Sequence, residues 1–246
     1  MSGHSKWANI KHRKEKSDSA RAQAFTRVTR EIIIAAREGG GDPEGNFRLR
    51  LAIQNARGVN MPNDNIQRAI KRGSGGEEGA NLEQVTYEGY GPAGVAVIVE
   101  TMTDNRNRTA GDVRHLFSKY GGNLGENGCV AWMFDRKGYL VIEMEDKPFS
   151  EEQVAEWAIE GGAEDLETND GIIEIYTAPE DLQTVQEYLE SKGVEFVESE
   201  NTMIAQNEVA LDEQTAQRVT KMLEALEELD DVQKVHANLE ASPDLE

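Results

Sequence analysis

The residues that could do chemistry in this sequence are mostly cations, and they are concentrated towards the amino terminus. Residues 1–76 contain 15 Lys and Arg against 7 Asp and Glu, a net charge of +8, whereas residues 138–246 contain 5 against 30, a net charge of −25. Guanidinium and ammonium groups neutralise the phosphates of nucleic acids, and a basic module in an acidic protein indicates a part that faces nucleic acid. The sequence therefore predicts a phosphate-binding surface near the amino terminus.

The first sixteen residues predict a flexible basic arm, because they show no apolar periodicity and five of them are Lys or Arg. We expect its cations to contact phosphates and Trp7 to stack on a base, a contact worth about 1–3 kcal/mol. The alternative is that Trp7 docks on the neighbouring helices. The candidate residues of the arm are Lys6, Trp7, Lys11, His12, Arg13, Lys14 and Lys16.

Three helices are predicted after the arm, at about residues 17–38, 44–57 and 62–72, from apolar residues that recur at helical spacing. Cations on the sides opposite these apolar stripes are expected to face outward and to extend the phosphate-binding surface. The alternative is that they are ordinary solvated helix faces. These cations are Arg27, Arg30, Arg50, Arg57, Arg68, Lys71 and Arg72.

A second candidate site lies at residues 104–109, DNRNRT, where a predicted strand gives way to a helix. Cations in the first turn of a helix oppose its dipole, so Arg106 and Arg108 need another reason to be there. One reason is an anion held by the helix amino terminus and the two guanidiniums. The other is that Asp104 or Asn105 caps the helix while the arginines pair with nearby carboxylates. The sequence leaves both interpretations open.

Beyond residue 80 the pattern changes to short strands alternating with helices, which predicts an α+β fold. Residues 139–200 show the element order β-α-β-β-α-β of a ferredoxin-like unit, with strands expected at 129–134 before it and at 194–197 as its last element. The final helix and strand of the chain have no sheet of their own, so they are expected to complete the sheet that begins after residue 80.

The predicted architecture therefore has three domains, in which two ferredoxin-like α/β sandwiches follow a basic helical bundle. The bundle and the arm occupy residues 1–76. A discontinuous α+β domain occupies residues 80–137 plus 206–239. An acidic ferredoxin-like domain is inserted in it at residues 138–205.

The remaining residue types argue against a metal, an enzyme or a membrane protein. The four histidines show no metal-ligand spacing, and no Ser or Cys lies in a nucleophile motif, so we expect no metal, no cofactor and no catalysis. No run approaches eighteen apolar residues, so no membrane-spanning helix is expected. A single cysteine, Cys129, and a polar, basic start without a secretory segment predict a reduced, cytoplasmic protein.

Several strings in the sequence resemble the YebC family. They are GHSKWANIKH at 3–12, EIIIAAREGG at 31–40, NMP at 60–62, IQRAI at 66–70, YEGYGP at 87–92 and TDNRNRT at 103–109. The resemblance covers essentially the whole chain. The family comprises probable bacterial transcriptional regulatory proteins, related to a mitochondrial translational activator of cytochrome oxidase. Membership would imply three domains with a helical first one, a cytoplasmic location and a regulatory role directed at nucleic acid.

The resemblance leaves two functions open. One is a DNA-binding transcriptional regulator. The other is a ribosome-associated translation factor that contacts ribosomal RNA and assists difficult nascent sequences, including proline-rich ones. In both, the arm and the helical bundle would hold nucleic acid, and the acidic domains would be free to dock a basic protein partner.

Overall fold

The structure of the chain is a computed structural model, and it describes residues 18–75 and 81–240. This part contains seven α-helices and two four-stranded sheets, which confirms the predicted α+β class. The helices are α1 (Asp18–Gly39), α2 (Phe47–Gly58), α3 (Asn63–Ser74), α4 (Arg106–Tyr120), α5 (Glu151–Gly161), α6 (Leu182–Ser191) and α7 (Glu213–Glu227). The strands are β1 (Glu83–Tyr90), β2 (Ala96–Thr103), β3 (Asn123–Leu124), β4 (Phe134–Glu143), β5 (Asp165–Asn169), β6 (Ile172–Thr177), β7 (Glu198–Ala205) and β8 (Val232–Ala237).

Helices α1, α2 and α3 pack around one apolar core, which we call the helical module. The residues that recur at helical spacing in the sequence are the ones that are buried, including Ile32, Leu49 and Ile66. Asn46 joins the first two helices: its side-chain oxygen accepts the N–H of Leu49 at 3.0 Å, and its amide group donates to the carbonyl of Ala35 at 2.8 Å. One buried side chain therefore caps the start of α2 and fixes it to the end of α1.

The first sheet has the strand order β3-β1-β2-β8, with β2 antiparallel to both β1 and β8. Helices α4 and α7 supply its apolar layer, in which Phe117 and Leu226 pack against the valines of β2. Because β8 comes from the end of the chain, residues beyond 205 complete a sheet that begins at residue 83.

The second sheet has the strand order β5-β6-β4-β7, and its elements follow the chain order β-α-β-β-α-β of a ferredoxin-like fold. The first sheet repeats this spatial order with a different connection. Strand β1 occupies the position of β6 but enters the sheet before β2, whereas α4 still follows β2 and α7 still precedes β8. Both sheets are therefore variants of one arrangement.

Two predicted strands are wrong. Residues 194–197 do not form the last strand of the second sheet, which begins at Glu198. The N–H of Val194 donates to the carbonyl of Leu189 and the N–H of Gly193 to that of Glu190, so this apolar stretch begins as the carboxyl cap of α6. Residues 129–134 form a loop and a short 3₁₀ turn at Ala131–Met133, and the strand starts only at Phe134.

The chain divides into two compact units. Among the described residues, one unit comprises 135–204, and the other comprises 18–75, 81–134 and 205–240. The second unit contains both the helical module and the first sheet. The three domain boundaries drawn from the sequence stay a prediction, and residues 76–80, where the first of them falls, lie outside the described residues.

Candidate nucleic-acid interface

Four of the five cations predicted on α2 and α3 are at the surface. Arg57 lies in the last turn of α2, and Lys71 and Arg72 lie in the last turn of α3, where the carboxyl end of the helix dipole favours positive charge. Arg68 is exposed and is held along α3, because its Nη2 atom donates to Asn65 Oδ1 at 2.6 Å. These four residues keep their charged groups towards solvent.

Arg50 is half-buried rather than fully outward. Its guanidinium carbon lies 5.4 Å from the centre of the Phe47 ring, within the range of a cation–π contact. A guanidinium stacked on a ring still presents its N–H groups at its edge, so Arg50 can contact a phosphate from this position. The predicted residues Lys6 to Lys16 of the arm lie outside the described residues.

Arg27 and Arg30 do not face outward as predicted, which corrects that assignment. They lie on one face of α1 with Gln23, and all three donate to backbone carbonyls at the carboxyl end of α7. Gln23 donates to the carbonyl of Glu228 at 2.9 Å, Arg27 to that of Glu227 and Arg30 to that of Asp230. The helical module thereby contacts the carboxyl end of α7, which packs on the first sheet, through the face that carries these arginines.

The end of α7 explains why cations are needed there. A helix leaves its last carbonyls without partners, and its carboxyl end carries partial negative charge. Helix α7 has no basic residue in its last turn, and acidic residues occupy positions 224, 227, 228, 230 and 231. Arg27 and Arg30 supply from α1 the donors and the positive charge that α7 lacks. Burial lowers the pKa of Arg27, although Glu227 and Asp230 act in the opposite direction.

Asp231 is the centre of the charge cluster beside this contact. Its Oδ1 atom lies 3.0 Å from Arg30 Nη2, and its Oδ2 atom accepts hydrogen bonds from Arg108 at 2.8 Å and from Thr109 at 2.6 Å. The Asp231 side chain is 8% exposed. Burial raises the pKa of Asp231, but the hydrogen bonds from Thr109 and Arg108 and the charge of Arg30 lower it more, so the net pKa lies below its ordinary value.

The segment at 104–109 divides its two predicted cations between different roles. Asn105 caps α4 by accepting the N–H of Arg108. The Arg108 side chain pairs with Asp104 and Asp231, so an internal carboxylate takes the place of the anion that the sequence left open. Arg106 is exposed, and no ion pair involving it occurs in the described part of the chain. Only Arg106 therefore keeps the role of a candidate phosphate contact.

Sequence reasoning missed one conspicuous residue, Trp132, whose side chain is 66% exposed. The turn that carries it is held by Glu88, which is 6% exposed and accepts the backbone N–H groups of Gly128, Val130 and Ala131. Burial raises the pKa of Glu88, but these three hydrogen bonds lower it further, so the net pKa is below the ordinary value. The predicted strand at 129–134 concealed this turn.

Groups suited to metal binding do not assemble in the part of the chain that the structure describes. No three or more His, Cys, Asp or Glu side chains lie there in positions that could hold a metal ion. Burial raises the pKa of Cys129, and the charge of Glu88 raises it too, which keeps this thiol protonated. None of the described helices is long and apolar enough to cross a membrane.

The chain matches known protein families along most of its length. Residues 5–76 match the family model described as the TACO1/YebC protein N-terminal domain, and residues 82–239 match that described as the TACO1/YebC second and third domain. A relative from Persephonella marina is 56% identical over 247 residues, which cover 100% of this chain and 98% of the relative. One from Desulforamulus reducens is 53% identical over 240 residues, which cover 98% of this chain and 99% of the relative. Both relatives are named probable transcriptional regulatory protein.

A solved structure agrees with these matches. The crystal structure of a conserved hypothetical protein from Aquifex aeolicus has a TM-score of 0.89 and 51% sequence identity, and covers 98% of this chain and 100% of that one. The name of the two relatives, probable transcriptional regulatory protein, supports a regulatory role and does not describe an enzyme. The chain therefore belongs to the TACO1/YebC family, as its motifs predict.

Proposed function

We propose that this chain is a non-enzymatic, cytoplasmic, nucleic-acid-binding regulator that acts as a DNA-binding transcriptional regulator. The observation that carries the proposal is the division of the cations in the helical module. Arg27 and Arg30 donate hydrogen bonds to carbonyls at the carboxyl end of α7. In contrast, the exposed cations lie on α2 and α3; they are Arg57, Arg68, Lys71 and Arg72. Cations whose side chains are exposed are the ones available to polymeric phosphate.

The phosphate-binding surface in this proposal is smaller than the sequence predicts. It comprises the arm, from Lys6 to Lys16, and the exposed cations of α2 and α3, with Arg50 at its margin. Phosphate contacts of this kind position a protein on nucleic acid but do not read its sequence. The relatives' name, probable transcriptional regulatory protein, supports DNA as the target.

A salt series on the full-length chain with duplex DNA tests the proposal. Each phosphate contact contributes about 0.9 to the slope of log affinity against log salt concentration. The double substitution of Arg57→Gln and Lys71→Gln should therefore lower the slope by about 1.8. Lys119→Gln, which removes an exposed cation from α4, is the matched control and should leave the slope unchanged. Equal slopes for the wild type and the double variant would show that α2 and α3 do not hold phosphate.

A second candidate function, a ribosome-associated translation factor that contacts ribosomal RNA, is favoured by the charge of the other compact unit. Residues 135–204 contain 20 Asp and Glu against 4 Lys and Arg, a net charge of −16. Such a surface repels free nucleic acid and attracts basic proteins, which accompany RNA on the ribosome. Co-sedimentation with ribosomes at physiological salt, together with loss of duplex binding at that salt, would favour this function over the first. A specific duplex footprint that survives the same salt would favour transcription.

A further inference from the structure

The turn at residues 131–133 presents a large aromatic side chain to solvent. Tryptophan is among the side chains that proteins bury most on average, yet Trp132 is 66% exposed. Its neighbours two residues away on either side, Val130 and Phe134, are buried. The short 3₁₀ turn between these two anchors therefore projects the ring from the surface instead of folding it into the core.

This turn is held rigidly from two sides. The carboxylate of Glu88 accepts three backbone N–H groups of the segment, at 2.7 Å from Gly128, 3.0 Å from Val130 and 2.8 Å from Ala131. The indole Nε1 atom of Trp132 donates to the carbonyl of Cys129 at 3.0 Å. Because an indole has no other polar group, the ring offers a partner apolar and stacking contacts and no further hydrogen bond.

The surroundings of the ring favour a nucleobase over a protein as the occupant. In residues 18–75, 81–134 and 205–240, Trp132 is the only large hydrophobic side chain that is exposed. The buried centre of a protein–protein interface needs a cluster of apolar anchors, which this surface lacks. A single exposed aromatic face is instead the form of contact that binds an unpaired base by stacking.

A cation lies along the same part of the surface. A shallow polar groove of about 290 Å³ is lined by Glu88, the residue that holds the turn, and by Arg106 at the start of α4. Unlike Arg108, Arg106 has no carboxylate partner among the described residues. Arg106 is therefore a cation available to a phosphate of a strand that also contacts the turn held by Glu88.

We propose that Trp132 is a stacking platform for an unpaired base of a single-stranded nucleic acid, with Arg106 as a contact for a phosphate of the same strand. The proposal rests on the nucleic-acid-binding function proposed above and names the form of nucleic acid that the first sheet's domain takes. It separates two modes of binding in one chain. The helical module holds phosphates of any strand, whereas the turn at 131–133 requires a base that is free of its pair.

The test measures the affinity of the full-length chain for a short single-stranded DNA and for the DNA duplex of the same sequence. Trp132→Ala should weaken single-strand binding by about 5- to 150-fold, the range of one stacked base, and leave duplex binding unchanged. Trp132→Phe keeps a ring and should retain most of the single-strand affinity. Ile159→Ala, which removes an exposed apolar side chain from α5, is the matched control and should alter neither affinity.

Fluorescence gives a second measurement that a structural role of Trp132 would not change. The chain contains three tryptophans, so the double substitution of Trp7→Phe and Trp157→Phe leaves Trp132 as the only emitter. Its emission should be quenched by the single strand and not by the duplex. Arg106→Gln should lower the salt slope on the single strand by about 0.7.

The outcomes distinguish the two proposals. If the wild-type chain binds neither form of nucleic acid, the proposed function fails and the platform fails with it. If the wild type binds but Trp132→Ala binds the single strand equally well, only the platform is refuted. An equal loss on single strand and duplex, or a loss that Trp132→Phe does not restore, also refutes the platform.

Discussion

Replacing Asp231 by Asn tests the contact between α1 and the segment that joins α7 to β8. Asn has nearly the same shape, but it removes the negative charge and turns an N–H group towards Arg30 or Arg108. In the wild type, the carboxylate of Asp231 accepts hydrogen bonds from Thr109 at 2.6 Å and from Arg108 at 2.8 Å, and it lies 3.0 Å from Arg30. The substitution therefore weakens three interactions at once while leaving the backbone in place.

The size of the effect follows from how exposed each partner is. Arg108 is 47% exposed and keeps its ion pair with Asp104, so loss of its ion pair with Asp231 costs about 0.5 kcal/mol. Arg30 is 18% exposed, and loss of its pair costs about 1–2 kcal/mol. The hydrogen bond from Thr109 changes from a charged to a neutral acceptor, which costs about 0.5–1 kcal/mol. We expect Asp231→Asn to lower the free energy of unfolding by about 2–3.5 kcal/mol at pH 7.

The pH dependence provides the sharper measurement. Because the folded pKa of Asp231 is below its ordinary value of 3.8, its contribution to stability is complete above pH 3.8 and is lost as the pH falls through the folded pKa. Urea unfolding of both proteins should show a difference that is constant at neutral pH and shrinks in acid. Asp104→Asn, whose carboxylate is 61% exposed, is the control and should cost less than about 0.5 kcal/mol. If the two substitutions cost the same, Asp231 does not hold the docking contact.

Two further predictions concern backbone packing and the Trp132 turn. A Cβ atom on Gly73 of α3 would lie 2.4 Å from the carbonyl oxygen of Ile33 in α1, so Gly73→Ala should lower the free energy of unfolding by about 2 kcal/mol or more. Gly111→Ala, at an open position of α4, should instead raise the free energy of unfolding by about 0.5–1 kcal/mol. Both free energies are measured by urea unfolding. If the two substitutions changed the free energy of unfolding in the same direction, the close approach of α3 to α1 would be contradicted. A Gln side chain at position 88 can accept at most two of the three N–H groups that Glu88 binds, so Glu88→Gln should lower the free energy of unfolding by about 1–3 kcal/mol. It should also increase the mobility of Trp132, measured by fluorescence anisotropy. Unchanged anisotropy would show that Glu88 does not hold the turn.

The sequence predicts the helical module well because the burial of an apolar stripe is a local property. Leu49 and Ile66 belong to the stripes that define α2 and α3, and both lie in the core. The same reasoning assigns Arg27 and Arg30 to solvent, since they lie opposite the stripe of α1. What covers that opposite side is the end of α7, about two hundred residues away in the chain, and no periodicity within α1 can reveal it.

The wrong strands have a similar cause. An apolar stretch such as 194–197 satisfies the composition of a strand, but Gly193 lies at φ +87° and places Val194 in a helix cap. At 129–134 the N–H groups of Val130 and Ala131, which a strand could use for pairing, are bound by the carboxylate of Glu88, about forty residues earlier. Sequence analysis missed the candidate site for the same reason, because the turn that presents Trp132 is held by this distant side chain.

The division of cations in the helical module makes docking and nucleic-acid binding separable by mutation. Arg27 and Arg30 on α1 hold the module to α7, whereas Arg57 and Lys71 lie on α2 and α3 and contribute to no ion pair among the described residues. Substitutions at the first pair should lower the free energy of unfolding and leave the salt slope unchanged, because those guanidiniums are already occupied. Substitutions at the second pair should lower the salt slope and leave stability unchanged. A net charge counted from the sequence treats all four alike, but only the exposed pair has its charge available to a phosphate chain.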